Sequence, residues 1–302
     1  PAGTTAEVRR LLAGALGDRG EVVTGPSPVQ ALKARKNPRE LESMARSFRR
    51  ADAVVAAAML WLNRKVADGR PVTEAEFAAR VEALFLDAGA RGLSFRVIAA
   101  AGANGAVIHY SHPDPARRIK KGELMLLDTG AYFEPGYATD LTRTFLAGGA
   151  AAKATPKQKL VYTLVLKASI RGMKARFPAG TTGVQLDAIV RAPIWDAGYD
   201  FLHGTGHGVG VLVHEFPPRV STRSSSPLEP GHVFSIEPGI YLDGWGGVRI
   251  ENLVTVVPDR KAEGFLRVKP LTFAPLDRRL IDGKLLSADE KQWLRQYVRG
   301  RA

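Results

Sequence analysis

Two segments of the chain each carry a pair of acidic residues placed symmetrically about a turn. In LLDTGAYFEPGYATDLTRTF, Asp128 and Asp140 are equidistant from position 134, where the EPG turn begins. In FSIEPGIYLDGWGGVRIENLV, Glu237 and Glu251 are equidistant from Gly244. Residues equidistant from the turn of an antiparallel hairpin face each other, with Cβ atoms about 4.5–5.5 Å apart. We therefore expect each hairpin to present two directly opposed carboxylates on one side of the sheet.

Opposed carboxylates repel each other, so this arrangement requires positive charge between them. Four carboxylates carry about four negative charges, which two divalent cations would cancel. Water bound to such cations is acidified strongly enough to act as hydroxide near neutral pH. The charge balance therefore favours two metal ions over one. A mostly oxygen shell with one imidazole favours Mn²⁺ or Co²⁺, with Zn²⁺ as an alternative.

Histidines that could complete such a site fall in two short segments. Of the six histidines, His109 and His112 lie in NGAVIHYSH, whereas His203, His207 and His214 lie in HGTGHGVGVLVHEFP. The glycines of the second segment allow the backbone to approach a crowded centre. Their spacing does not match the G-x-G-x-x-G fingerprint of dinucleotide-binding proteins. We expect at least one of these histidines to contact metal, and we interpret the sixth histidine, His232, as structural.

Two similar runs of predicted elements would position these residues. Asn37-Pro38 begins a long helix in the first run, and Thr155-Pro156 begins one in the second. The first run is predicted as helices 38–66 and 73–88, then strands 95–100, 105–109, 123–129 and 137–146. The second run is predicted as helices 156–176 and 183–197, then strands 200–203, 211–215, 231–238 and 247–257. The repeat indicates an α+β fold of two pseudo-symmetric halves, with antiparallel sheet inside, helices outside and the four carboxylates in the seam.

Two capping boxes mark further helix starts. Thr73 with Glu76 begins the second helix of the first run, and Ser287 with Glu290 begins a terminal helix. The terminal helix has an apolar stripe formed by Trp293, Leu294 and Tyr297. This stripe either packs on the body of its own subunit or forms a dimer contact.

Composition excludes several classes of protein. The chain has no cysteine, which excludes thiol nucleophiles, disulfides and cysteine-ligated metal sites. It also has no run of eighteen apolar residues, so we expect no membrane span. The net charge is +13, but the basic residues are spread along helices without the interleaved aromatic residues of a base-stacking surface. We therefore interpret them as a solvated basic surface and expect no nucleic acid to bind.

These motifs closely resemble those of the pita-bread metallopeptidases, family M24, and within that family the Xaa-Pro aminopeptidase (aminopeptidase P) subgroup. The resemblance runs from about position 27 to position 297. It is carried by NGAVIHY, LLDTGAY, TDLTRTF, HGTGHGVG, VHE, SIEPGIY and GVRIENLVTVV. The family's five metal ligands, in the order Asp, Asp, His, Glu, Glu, are all present.

The resemblance implies a role for each of these five residues. Asp128 would bind one metal ion, and His207 and Glu237 would bind the other. Asp140 and Glu251 would bridge both ions. The family mechanism also implies that Glu237 acts as the general base for attack on the peptide carbonyl.

The resemblance also assigns four neighbours to the site. His109 matches a histidine near the scissile bond, and His214 matches one that helps to bind or protonate the reacting group. His203 matches a substrate-pocket histidine, and Arg249 matches an arginine near the metal ions. Tyr241 and nearby Trp245 either line the pocket or simply pack, and we leave both out of the predicted site.

By the same resemblance, the protein is expected to hydrolyse the N-terminal Xaa-Pro bond of peptides as a cytoplasmic homodimer. The resemblance also suggests that residues 1–30, predicted as a helix at 5–16 and a strand at 21–24, are the remnant of an N-terminal domain with its linker. Residues 31–302 would form the catalytic domain. The alternatives are a prolidase that cuts only Xaa-Pro dipeptides, an inactive pita-bread binding or scaffold fragment, and a basic nucleic-acid binder.

Overall fold

The computed structural model describes residues 4–23, 25 and 27–300. Two short helices come first, α1 (Ala6–Leu16) and α2 (Pro28–Ala34). The first half consists of α3 (Pro38–Ala67), α4 (Glu74–Asp87), β1 (Gly92–Leu93), β2 (Ile98–Ala101), β3 (Leu124–Thr129), β4 (Ala131–Phe133), β5 (Tyr137–Ala138) and β6 (Leu141–Leu146). The second half consists of α5 (Pro156–Met173), β7 (Arg176–Pro178), α6 (Gly183–Trp195), β8 (Gly206–Gly208), β9 (Glu215–Val220), β10 (Val233–Ile236), β11 (Gly239–Leu242), β12 (Gly246–Arg249), β13 (Asn252–Pro258), β14 (Phe265–Pro270) and the terminal helix α7 (Ala288–Arg299).

The main helices begin where their capping residues predict. The side chains of Asn37, Thr73, Thr155 and Ser287 each accept a hydrogen bond from a backbone N–H in the first turn of α3, α4, α5 and α7. In all four caps the side chain of the third helical residue accepts a hydrogen bond from the backbone N–H of the capping residue, which completes a capping box. The four predicted helix starts are confirmed.

Among the described residues, every strand pair is antiparallel. Strands β7, β14, β13, β10, β8 and β9 form a six-stranded sheet in that order, and β2, β3 and β6 form a three-stranded sheet. A small sheet of β1, β4 and β5 extends the first half, and the β11–β12 pair extends the second. The predicted α+β architecture with antiparallel sheet inside is confirmed.

Each half buries its own hydrophobic core between helices and sheet. In the first half, Phe77 of α4 meets Phe145 of β6 edge to face, with ring centroids 6.3 Å apart. In the second half, Val165 of α5 and Val190 of α6 pack in one cluster with Phe234 of β10. Burial of such side chains stabilises each half by roughly 1.5–3 kcal/mol per residue. The helices therefore cover the outer faces of the sheets.

The two halves meet where β6 runs beside the last hairpin of the second half. The Thr144 hydroxyl donates to the carbonyl of Arg249 and accepts from its N–H, each at 3.1 Å. The backbone N–H of Glu251 donates to the carbonyl of Thr142, also at 3.1 Å. These hydrogen bonds join the acid-bearing segments of the two halves, as the pseudo-symmetric arrangement predicted.

Several predicted strands are wrong. Strand is absent, among the described residues, from 21–23, 105–109, 200–203 and 211–214, and Thr24 lies outside the described residues. Residues 102–106 instead form a 3-10 turn, because Gly105 approaches Gly247 so closely that a Cβ at Gly105 would lie 3.0 Å from the Gly247 nitrogen. The 211–214 segment turns around Glu215, whose carboxylate accepts from the Leu212 N–H at 3.1 Å.

The apolar stripe of α7 faces the body of its own subunit. Trp293 and Leu294 pack against the core of the second half. Tyr297 is buried, and its hydroxyl donates to the carbonyl of Ala274 at 2.9 Å. Of the two alternatives for this stripe, the structure shows packing on its own subunit. No helix among the described residues is both long enough and apolar enough to cross a membrane.

Candidate metal centre and active-site cavity

The first hairpin brings its two aspartates to the same face of the sheet but not opposite each other. Asp128 of β3 pairs with Thr142 of β6, and Asp140 lies two residues before Thr142. The prediction of direct opposition is wrong, because Phe133 pairs with Tyr137 and the hairpin is centred one residue later than the acids suggest. Residues two apart on a strand share a face, so the carboxylates become diagonal neighbours.

The second hairpin has the predicted register. Ile236 pairs with Asn252 in the β10–β13 ladder, and Gly239 pairs with Arg249 in the β11–β12 ladder. Both ladders are therefore centred on the same turn residue. Glu237 and Glu251 occupy equivalent positions at the break between the ladders, where they face each other as expected.

One cavity of about 570 Å³ lies at the seam between the halves. Every residue of the predicted site lines it, namely Asp128, Asp140, His207, Glu237, Glu251, His109, His203, His214 and Arg249. His112 lies outside this set and interacts with Ser111 and Arg96. The structure thus brings together residues that span more than 140 positions of the sequence.

Three of the predicted ligands already form a group of metal-binding size. One ligand atom each from Asp140, His207 and Glu251 lies within 4.8 Å of the others. The Nε2 atom of His207 is 3.3 Å from Asp140 Oδ2 and 3.4 Å from Glu237 Oε1. Such spacing leaves room for a cation that all four side chains could contact.

Two carboxylate oxygens in this cluster have no hydrogen-bond donor in the part of the chain that the structure describes. Asp128 Oδ1 and Glu251 Oε1 are both buried without a partner among the described residues. A buried carboxylate oxygen without a donor is costly unless a cation satisfies it. The residues present therefore fit divalent metal ions, whose preferred ligands in a hard site are carboxylate oxygens with an imidazole.

The raised pKa values in the cluster also indicate that its negative charges are not fully compensated by the protein. Burial raises the pKa of Asp140 to about 6. Burial and the neighbouring charges of Asp140 and Glu237 raise the pKa of Glu251 well above its usual range. Burial alone would lower the pKa of His207, but the hydrogen bond to Asp140 and the charge of Glu237 raise it to about 9. In the metal-free protein, protons therefore occupy a site that a cation would take over.

Arg249 connects the first hairpin to the rest of the cavity. Its guanidinium is buried and donates from Nη2 to Asp128 Oδ2 at 2.5 Å. Its Nη1 donates to the Tyr241 hydroxyl at 2.9 Å, and that hydroxyl is also 2.8 Å from Nε2 of His203. Its Nε donates to Thr142 Oγ1 at 3.2 Å. The arginine therefore holds a predicted metal ligand and a predicted substrate-pocket histidine in one network.

Sequence reasoning did not predict two residues of this network, Tyr241 and Thr142, although the hairpin register could have predicted Tyr241. Tyr241 is diagonal to Arg249 across the β11–β12 ladder and so shares its face, which the register alone could have shown. Thr142 donates from its hydroxyl to Glu251 Oε2 at 2.9 Å. Trp245 packs against the core of the second half, which agrees with the packing alternative.

The remaining histidines surround the acidic cluster. The rings of His207 and His214 lie 4.2 Å apart, with an 89° angle between their planes. Burial and the positive charge of His207 lower the pKa of His214, and burial lowers the pKa of His203. His109 is exposed on the loop after β2. The cavity thus combines acids near its centre with the imidazoles of His203 and His214, whose lowered pKa values favour the neutral form.

Known proteins are similar to this chain in both sequence and fold. A family model for metallopeptidase family M24 matches residues 42–258, and a model for the C-terminal region of peptidase M24 matches residues 264–300. A protein of Pyricularia oryzae named "Probable Xaa-Pro aminopeptidase P" is 42% identical over 301 residues, which cover 94% of this chain and 47% of that protein. One of the same name from Laccaria bicolor is 39% identical over 284 residues, covering 90% of this chain and 43% of that protein. The chain therefore spans somewhat less than half the length of these two relatives.

Two solved structures are similar throughout most of the chain. The X-prolyl aminopeptidase of Caenorhabditis elegans, a cytosolic enzyme with a di-nuclear active site, superposes with a TM-score of 0.87 at 36% identity. The superposition covers 95% of this chain and 47% of that one. The prolidase of Pyrococcus furiosus superposes with a TM-score of 0.71 at 35% identity, covering 81% of this chain and 66% of that one.

Proposed function

This chain belongs to metallopeptidase family M24, and from that premise we propose that it is the catalytic part of an aminopeptidase P-type enzyme. Such an enzyme releases the first residue of a peptide whose second residue is proline. The observation that carries the proposal is the convergence of the four acids and His207 on one cavity, with two buried carboxylate oxygens that have no donor within the described part of the chain. The relatives named Xaa-Pro aminopeptidase P support the choice of substrate.

We propose that five residues hold two divalent cations. Asp128 would serve one ion, His207 and Glu237 the other, and Asp140 and Glu251 both. When bound, the cations would lower the pKa of the attacking water and polarise the peptide carbonyl. Mn²⁺ is the proposed metal, with Co²⁺ or Zn²⁺ as alternatives, because carboxylate oxygens dominate the ligand set. The di-nuclear site of the Caenorhabditis elegans enzyme supports two ions rather than one.

The chain's own residues would manage the protons and the substrate. Glu237, whose Oε1 accepts from Ser235 Oγ at 3.1 Å, would take the proton of the attacking water. His109 and His214 would stabilise the developing oxyanion or protonate the departing proline nitrogen. That nitrogen has no N–H in the peptide and leaves poorly unless it is protonated. Arg249 would fix the carboxylate of Asp128, and His203 would contribute to the substrate pocket.

We further propose that residues 31–302 act as the catalytic domain and that 1–30 belong to a preceding domain and its linker. Helix α1 supports this division because none of its residues is buried against the rest of the chain. We also propose a homodimer in the cytoplasm. The resemblance to aminopeptidase P supports the dimer, and the description of the Caenorhabditis elegans enzyme as cytosolic supports the location.

A comparison of two substrates tests the proposal. The purified chain with added Mn²⁺ is expected to cleave an Xaa-Pro-Xaa tripeptide. Cleavage of an Xaa-Pro dipeptide but not of the tripeptide would favour the prolidase alternative, which the similarity to the Pyrococcus furiosus prolidase keeps open. A protein that takes up no metal at millimolar Mn²⁺ would instead support the binding or scaffold alternative.

A further inference from the structure

The loop that carries His109 into the cavity has little regular structure of its own. It runs from the end of β2 at Ala101 to Asp114 and contains only the short 3-10 turn Gly102–Ala106. The His109 side chain is exposed and makes no hydrogen bond to the described residues. Something other than the imidazole itself must therefore keep this side chain at the reacting bond.

A buried carboxylate outside the cavity accepts hydrogen bonds from residues along the whole loop. Glu74 is the first residue of α4 and is 0% exposed. Its Oε1 accepts from the Ala101 N–H at 2.6 Å and from Asn104 Nδ2 at 3.0 Å. Its Oε2 accepts from the Tyr110 hydroxyl at 2.8 Å and from the Asp114 N–H at 3.1 Å. One side chain therefore binds the start, the middle and the end of the loop.

The capping of α4 does not explain this arrangement. The capping box of Thr73 and Glu76 already satisfies the helix start. An acid in the first turn favours the helix through the macrodipole even when it points into solvent, so burial is not needed for that purpose. Burial of a carboxylate is expensive unless several donors meet it, and here every donor comes from the loop.

The residues on both sides of His109 are held in place, Tyr110 on one side and Ile108 on the other. The Tyr110 ring packs against the small cluster of Ile98, Ala100 and Leu126, and its hydroxyl also lies 2.9 Å from Asn104 Nδ2. On the other side of His109, the carbonyl of Ile108 accepts from Arg249 Nη1 at 3.3 Å.

We propose that Glu74 and Tyr110 are positioning residues for His109. They hold the loop main chain so that the imidazole faces the scissile bond, and neither touches the substrate. This inference rests on the proposed function, because His109 acts on the substrate only if the chain is a peptidase. The anchoring of the loop by Glu74 can be measured independently of activity.

A double-mutant cycle on the Mn²⁺-loaded chain tests the proposal. Loss of a hydrogen bond to a charged group lets the loop shift, so Tyr110→Phe is expected to lower kcat about tenfold with little change in KM. In a His109→Ala background the same substitution is expected to change kcat by less than about twofold, because no imidazole remains to be positioned. Tyr162→Phe is the control, since Tyr162 lies on α5 in the core of the second half and its hydroxyl accepts a hydrogen bond from the Asp277 N–H at 3.2 Å.

Equal losses of kcat from Tyr110→Phe in both backgrounds would overturn the proposal. Amide exchange of the metal-loaded Glu74→Gln protein gives a second arm that does not depend on turnover. Exchange in residues 101–114 is expected to accelerate about tenfold while β10 and β13 stay unchanged. Unchanged exchange in the loop would overturn the anchoring whatever the kinetics show. If the parent chain cleaves no Xaa-Pro peptide, the proposed function fails, and the exchange arm still decides whether Glu74 holds the loop.

Discussion

The two acid-bearing hairpins differ in how their carboxylates are held. In the first hairpin, Asp128 lies within β3, is diagonal to Asp140, and forms an ion pair with the buried Arg249. In the second hairpin, Glu237 and Glu251 face each other at a break between two ladders. The first pair thus has a permanent cation of the protein beside it. The second pair shares His207 with Asp140 and otherwise depends on whatever cation the cavity binds.

The comparison shows that similar spacing about a turn does not ensure similar geometry. The turn sets the centre of each ladder, and a shift of one residue in that centre changes opposed residues into diagonal ones. The shift preserves the face of the sheet on which the residues lie. Both pairs therefore reach the seam, although their charges are compensated differently.

Removal of a shared acid should give the largest effect. Glu251→Gln or Asp140→Asn removes a charge that we expect both cations to need, so turnover should fall by about a thousandfold or more. The melting temperature should change little, because removal of one like charge relieves repulsion. Glu134→Gln, in the exposed turn of the first hairpin, is the control. Near-normal activity in either site variant would contradict the two-metal assignment.

The next largest effect should come from Arg249, the arginine of the second hairpin that pairs with Asp128 of the first. Arg249→Lys keeps the positive charge but cannot reach Asp128, Thr142 and Tyr241 together, because an ammonium lacks the planar fork of donors. We expect kcat/KM to fall about a hundredfold, with weaker Mn²⁺ binding by calorimetry. If lysine restores full activity, charge alone holds Asp128 and the contrast between the hairpins is smaller than described.

A smaller effect should follow Tyr241→Phe, which removes the hydroxyl between Arg249 and His203. We expect kcat/KM for an Xaa-Pro-Xaa peptide to fall about tenfold, because a hydrogen bond to a charged group contributes roughly 1.5–3 kcal/mol. Metal content, measured by mass spectrometry, should stay constant. Loss of metal together with activity would show that this tyrosine supports the ligands rather than the substrate pocket.

The smallest effect should be a pH dependence of the metal-free protein. The pKa of Asp140 is raised from 3.8 to about 6 and that of His207 from 6.5 to about 9. The folded state therefore binds more protons than the unfolded state between about pH 4 and 6 at Asp140 and between about pH 6.5 and 9 at His207. This contribution to stability is complete at low pH and is lost as pH rises, by up to about 1.4 kcal/mol per pH unit for each proton released. The melting temperature in EDTA should therefore decline between pH 6 and 9, and saturating Mn²⁺ should flatten the decline. A metal-free protein that becomes more stable over this interval would contradict the assignment.

The parts of the molecule that local chemistry determines could be predicted from the sequence. Asn37 and Thr73 marked helix starts through hydrogen bonds within a single turn. The five proposed ligands could be predicted because they lie in recognisable motifs. The course of the 102–114 loop could not, because Glu74 and the close approach of Gly105 to Gly247 join segments far apart in the chain.

The number of metal ions bound per chain tests the central claim most directly. After incubation with Mn²⁺ and removal of free ions, elemental analysis of the protein is expected to give two ions per chain, and Glu251→Gln is expected to give fewer. Two ions in the parent protein would match the charge of the four acids. No bound ion, or an unchanged content in the Glu251→Gln variant, would contradict the account.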